Sequence, residues 1–237
     1  MQEYVIEIRI WKGIAGMEID ANFFAEGRRE LSSGLLSDVL DGIGLPRHAM
    51  DPEIRPLDDS RVLFGRARTG QYVDRYHRAE GANPYEVEIA LVDDLKPDDV
   101  VVMNCGATRR YAAWGELLTT AATARGAVGA VVDGQSRDVR QIREMGFPLF
   151  ARGIGMLDAA GRGEMVARDV PIECGGVPVS SGDLVFADMD GALVIPAEAA
   201  TEAVRLALEK SAGEDRVREA LAKGELLSDV FERYGIL

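Results

Sequence analysis

At 237 residues the chain can bury a sizeable core, as one large domain or a domain with an appended arm. A net charge of -13 argues against a general nucleic-acid or anionic-membrane binder, and without a membrane-span-length apolar run or a leader-like start the cytoplasm is the expected location. Two isolated cysteines, Cys105 and Cys174, suit reduced thiols, and two histidines, His48 and His77, exclude a three-histidine zinc centre, so any metal is expected to be bound mainly by oxygen.

In chain order, residues 4–11 alternate apolar and charged positions, which predicts a strand-like arm over residues 1–22, with residues 23–237 forming a single domain. From residue 23 to 43 the pattern is helical. Ser33 or Ser37 is the candidate cap of an amphipathic segment over 38–43, and Gly44 stops it. Residues 46–60, rich in Pro and Asp, form an irregular connection. A strand is expected over 61–69, then a polar loop or short helix over 70–83 placed to cover a site. Residues 100–103 and 127–132 have the β-branched content of buried strands, the second ending at Asp133-Gly134. Between them Leu117, Leu118, Ala121 and Ala122 share one face of a helix that starts after Gly115 and stops at Gly126. A short helix then runs to Met145, a strand covers 147–151, and 152–170 is weakly patterned. Further strands are expected over 177–179, 184–187 and 192–195, with the Asp190-Gly191 turn marking a hairpin. A long amphipathic helix from 197 to about 223 is expected, with a break at Gly213, followed by a packed tail.

The class is therefore α/β. Strand, helix, strand over 100–132 makes a central βαβ unit with parallel strands and a right-handed crossover. Two loops consequently open at one sheet edge, one leading to Glu116 and one carrying Arg137 and Asp138, and ligands of open α/β sheets bind at such edges. No GxGxxG, GxxxxGK[ST] or GxSxG motif is present, which leaves nucleotide binding and a serine triad without support. Asp138 is a candidate Mg²⁺ or Mn²⁺ ligand and Glu116 a second contact. At the helix start Gly115–Leu118, the amides of Leu117 and Leu118 lack intrahelical partners and favour a substrate carboxylate. Arg137 would face an oxygen that becomes anionic during reaction. Together these describe a pocket for a 2-oxo acid and chemistry through an enolate. Spacing alone leaves a second reading open: a dipole-complementing Glu beside a surface Arg-Asp pair.

The run GELLTTAATARGAVGAVVDGQSRDVRQIREMGFPLFARG closely resembles the RraA-like family, which includes divalent-metal-dependent class II 4-hydroxy-4-methyl-2-oxoglutarate aldolases. LSDVLDGIG near residue 36 and ECGGVPVSSGDLVFADMDGALVIP at 173–196 support the match, which covers roughly residues 31–215. The aldolase signature is an acidic residue, twenty intervening residues, then Arg-Asp; Glu116 and Arg137-Asp138 fit it, with Glu where many aldolases have Asp. The resemblance implies a compact β/β/α fold and Mg²⁺ or Mn²⁺ on Asp138. It places Arg137 on the pyruvyl oxygen and the Leu117 and Leu118 amides on the carboxylate. It further implies trimers or hexamers with sites at subunit interfaces, where a neighbouring C-terminal helix adds a carboxylate; Glu214 is the candidate and Glu209 its rival. The implied activity is cleavage of a 4-hydroxy-2-oxo acid to pyruvate and a second carbonyl compound, with oxaloacetate decarboxylation through the same enolate. Tyr76 and His77 are candidates for selecting the substrate tail. The alternative is a non-enzymatic regulator that binds ribonuclease E, as the family's namesake does.

Overall fold

The structure, a computed structural model, describes residues 19–77 and 80–236; the strand expected over 4–11 lies outside the described residues. Two helices, α1 (Ala21–Glu30) and α2 (Ser33–Gly42), open the described chain, capped by the side chains of Asp20 and Ser32, which accept the N–H groups of Phe23 and Leu35. The cap of α2 is thus Ser32 rather than Ser33 or Ser37. Ser33 is instead held by Asp188, to which it donates both its N–H and its hydroxyl.

Short β1 (Arg55–Pro56) precedes the long β2 (Leu63–Asp74), then α3 (Glu86–Asp93), β3 (Asp99–Asn104), β4 (Ala112–Trp114), α4 (Glu116–Ala124), β5 (Gly129–Ser136), α5 (Val139–Met145) and β6 (Leu149–Ile154). There follow β7 (Gly163–Arg168), a hairpin of β8 (Ile172–Cys174) and β9 (Val177–Val179), a second hairpin of β10 (Leu184–Asp188) and β11 (Gly191–Ile195), and the helices α6 (Ala200–Ala222) and α7 (Leu227–Tyr234). The main sheet runs β1-β6-β5-β3-β2-β10-β11, with β4 joined to β5 and β7 to β2. Its centre, β2, β3, β5 and β6, is parallel, as the βαβ reading requires. Residues 48–56 nearly close the sheet on itself: Met50 donates to Ala192 of β11, while Arg55 and Pro56 pair with β6 at the other edge.

Alternation along the strands sorts the core into three layers. Val100 and Val102 of β3, Val131 of β5, Phe150 of β6 and Val185 of β10 point inward, where the β8–β9 hairpin plugs the curved sheet with Ile172, Cys174, Val177 and Val179. Val101, Met103, Ala130, Val132 and Leu149 point outward beneath α3, α4 and α5. Phe64, Phe186, Leu193 and Ile195 meet α1, α2 and α6. A fully buried side chain such as Phe150 is worth ~1.5–3 kcal/mol relative to leaving it exposed. No helix among the described residues is long and apolar enough to cross a membrane.

Several expectations are corrected. The polar stretch from residue 70 is not a loop, because β2 continues to Asp74 and pairs there with β7. The weakly patterned stretch contains β7, and β6 runs to Ile154. Asp133-Gly134 does not end β5; a register irregularity carries the strand on to Ser136. Helix α6 is unbroken at Gly213, whose missing side chain leaves room for Ile236 of the tail.

Candidate active site

Where β3 ends at Asn104, β5 continues and takes a new parallel neighbour, β4, and this change of partner parts the sheet at its carboxyl edge. Trp114, fully buried and stacked on Phe147, fixes the end of β4. Its indole N–H donates to Thr119, whose hydroxyl donates in turn to Gly115 O, so the first turn of α4 is tied to the strand that leads into it. Trp114 O also accepts the Arg137 N–H at 2.9 Å, which brings the loop after β5 against the start of α4.

Asp138 holds an unusual position. It precedes α5, where an Asp commonly caps its own helix, yet its carboxylate makes no such cap and its backbone is left-handed at φ 57°. That conformation costs an ordinary residue more than it costs Asp. The side chain instead reaches the neighbouring helix, where Oδ2 accepts the Glu116 N–H at 3.1 Å. Gly115 makes this approach possible. A Cβ there would lie 2.8 Å from Asp138 Oδ2 and 3.3 Å from Arg137 Cγ.

The Arg137 guanidinium lies between two carboxylates, 3.7 Å from Asp138 and 3.3 Å from Asp158. Arg137 and Asp138 line a cavity of about 290 Å³ together with Gly115, Leu117, Leu118, Tyr85, Glu88 and Asp158 over a floor of Ala112, Ala113 and Trp114. The structure thus brings the start of α4, Arg137 and Asp138 together on one cavity. Glu116 is not among the lining residues; its carboxylate accepts the Thr120 hydroxyl at 2.8 Å on the surface of α4. Glu214 pairs with Arg218 and Glu209 with Arg205, both on α6, the helix packed on the other side of the sheet, so neither reaches this cavity within the chain. Nor do Tyr76 and His77: Tyr76 is exposed under Arg110, and His77 lines a separate small cavity beside Arg75 and Glu164. Cys105 and Cys174 are buried, and burial pushes both thiols up, away from reactivity.

Three polar wall residues escaped the sequence reading. The Tyr85 hydroxyl donates to Asp158, and partial burial together with that carboxylate pushes the phenol up to about 12. Burial alone would raise Asp158, but the Tyr85 hydroxyl, the Ala160 N–H and Arg137 outweigh it and hold its carboxyl below the usual range. Glu88 is buried on the inner face of α3 and accepts the Tyr72 hydroxyl at 2.6 Å. Burial pushes its carboxyl up to about 7, against the Tyr72 hydrogen bond and Arg137, with Asp158 adding to the rise. The signal for Glu88 was present: it stands three and four residues before Leu91 and Val92, on the apolar face of a helix.

This raised value makes a stability prediction. The native state holds a proton on Glu88 that the unfolded chain releases near pH 4.5, so the stabilisation is complete below that pH and is lost as pH rises through about 7. Glu88→Gln, which stays neutral, is expected to lose less stability than the wild type between pH 5 and 8 in thermal melts; parallel curves would refute the assignment.

The RraA-like (aldolase/RraA) family model matches residues 34–194. The chain belongs to that family. Among its relatives is a Halalkalibacterium halodurans protein provisionally named 4-hydroxy-4-methyl-2-oxoglutarate aldolase, 33% identical over 81% of this chain and 84% of that protein. Protein DlpA of Legionella pneumophila is 30% identical over 86% of this chain, which spans only 32% of DlpA's length. The crystal structure of Streptomyces coelicolor RraAS2, described as an unusual member of the RNase ES inhibitor RraA family, superposes with a TM-score of 0.76 at 30% identity, covering 84% of this chain and 98% of that one. Membership accounts for the β/β/α core and the long C-terminal helix.

Proposed function

We propose that this RraA-like protein is a carbon–carbon lyase that releases pyruvate from a 4-hydroxy-2-oxo acid, and that it also decarboxylates oxaloacetate. The observation that carries the reading is the convergence of Arg137, Asp138 and the open first turn of α4 on one cavity. A substrate carboxylate suits the Leu117 and Leu118 amides, which a helix start leaves without intrahelical acceptors. Arg137, oriented from two sides by Asp138 and Asp158, is placed to stabilise negative charge that grows on the 2-oxo oxygen as the C3–C4 bond breaks. The relatives named as 4-hydroxy-4-methyl-2-oxoglutarate aldolases support this substrate class.

Among the described residues no three His, Cys, Asp or Glu side chains form a metal cluster. Asp138 keeps Oδ1 free of any protein donor among the described residues. One such carboxylate fits Mg²⁺ or Mn²⁺, which bind through one or two carboxylates and keep several waters, and it does not fit zinc. In this reading Asp138 would hold the ion with Glu116 as a second contact, and Glu214 or Glu209 of a neighbouring subunit would add an outer carboxylate in a trimer or hexamer. Bound there, the ion supplies further positive charge beside the 2-oxo oxygen.

The test is pyruvate release from 4-hydroxy-4-methyl-2-oxoglutarate and from oxaloacetate with Mg²⁺ or Mn²⁺, before and after chelation. No release from either substrate would overturn the reading. The likeness to RraAS2 favours a second reading, a regulator acting by contact with a ribonuclease. Stable association with a ribonuclease E-type enzyme, in a protein that releases no pyruvate, would decide for it.

A further inference from the structure

Helix α3, which packs against α4, brings to this cavity a carboxyl group that the signature motif does not include. Glu88 lines the same 290 Å³ cavity as Arg137 and Asp138, yet only 5% of its surface is exposed. Its Oε1 accepts the Tyr72 hydroxyl, and Tyr72 is itself buried on β2, so this donor is locked in place by the sheet. Among the described residues no other donor reaches the carboxyl, so Oε2 is left for whatever enters the cavity. Its charged and titratable surroundings come from every neighbouring element: Tyr72 from β2, Cys105 from the end of β3, Arg137 from the loop after β5, Asp158 from the loop after β6, and Tyr85 from the residue before α3. A helix that needed only an apolar inner face would not place a carboxyl here, because an incompletely paired one costs stability.

We propose that Glu88 is the proton-transferring group of this cavity, resting on the lyase reading above. Its carboxylate accepts the proton of the C4 hydroxyl. The C4–O bond becomes a carbonyl as the C3–C4 bond breaks, and the electron pair of that bond passes to the pyruvyl fragment as an enolate beside Arg137. The proton then returns from Glu88 to C3, giving pyruvate. Atoms and electrons balance with no other reactant. The group's position near neutrality, set by burial against the Tyr72 hydrogen bond, lets it both take and give a proton at physiological pH.

The reaction itself supplies the discriminating experiment. Aldol cleavage must deprotonate a hydroxyl, whereas loss of CO₂ from oxaloacetate starts from a carboxylate and needs no base, and the enolate it leaves can take its C3 proton from solvent. Glu88→Gln is expected to slow aldol cleavage ~10²–10⁴-fold, mainly in kcat, and decarboxylation by less than about tenfold. Tyr72→Phe keeps the carboxyl but removes its donor, so the acidic limb of the pH profile of kcat for aldol cleavage should move to higher pH. Equal losses in both reactions for Glu88→Gln, retained aldol cleavage, or an unmoved limb in Tyr72→Phe would each overturn the proposal. A wild-type protein inactive on both substrates would instead remove the lyase reading beneath it.

Discussion

Replacing Arg137 by alanine is expected to cut turnover ~10²–10³-fold while leaving the protein folded. The size of the loss follows from where the guanidinium stands. It is held between Asp138 and Asp158 on the wall of a cavity floored by Ala112, Ala113 and Trp114, where charge is less screened than in open water. Stability should change little, because the Arg137 side chain is 37% exposed and exposed ion pairs are worth only ~0–1 kcal/mol each. Asp158 would still be held by the Tyr85 hydroxyl and the Ala160 N–H. Arg137→Lys is the informative companion: it keeps the charge but has no fork with which to meet two carboxylates at once, so it should recover only part of the lost rate. Turnover on both substrates, read beside a thermal melt, checks the prediction; an alanine variant within a few-fold of wild type would sink the electrostatic role.

The parts of this site that the sequence revealed are those whose position follows from local pattern. A helix-period run between two β-branched runs dictates a βαβ unit, and that unit directs the start of α4 and the Arg137-Asp138 loop to one edge, where the pairing of β4 with β5 brings them together. Both helix ends were marked by glycine, and Gly126 and Gly146 do adopt the left-handed conformation. What remained illegible depends on pairing across long sequence distances. The extension of β2 to Asp74 is stabilised by β7, some ninety residues later, and its sequence, with Gly70, Gln71 and Asp74, has weak strand propensity of its own. Asp158 and Tyr85 acquire meaning only through each other and through Arg137. Glu116 fitted the spacing, but the side chain follows its own helix to Thr120, an i,i+4 contact that no motif can anticipate.

Gly115→Ala is expected to be the most damaging conservative change near the cavity. The backbone offers no reason for glycine, since φ -156° and ψ -173° are extended values open to any residue. The reason is space. The added methyl would stand 2.8 Å from Asp138 Oδ2, closer than a carbon can sit without displacing it, and 3.3 and 3.4 Å from Arg137 Cγ and Nε, a tight fit that a shift of a few tenths of an ångström relieves. Asp138 has little freedom to yield, because its backbone is fixed left-handed at the start of α5 and its carboxylate bonds to the N–H of Glu116, the residue beside the methyl. One added carbon therefore displaces Asp138 and crowds Arg137. Misplacement by about 1 Å is enough to lower kcat/KM ~10²-fold, whereas losing one exposed hydrogen bond should cost only ~0.5–1.5 kcal/mol of stability. A divalent-ion titration separates the two displacements. If Asp138 is the group disturbed, excess Mg²⁺ or Mn²⁺ should restore much of the rate; if Arg137 is, saturating metal should leave the deficit in kcat. Wild-type kinetics in Gly115→Ala would mean that neither group needs the position it holds here, and the cavity would lose its claim to the chemistry.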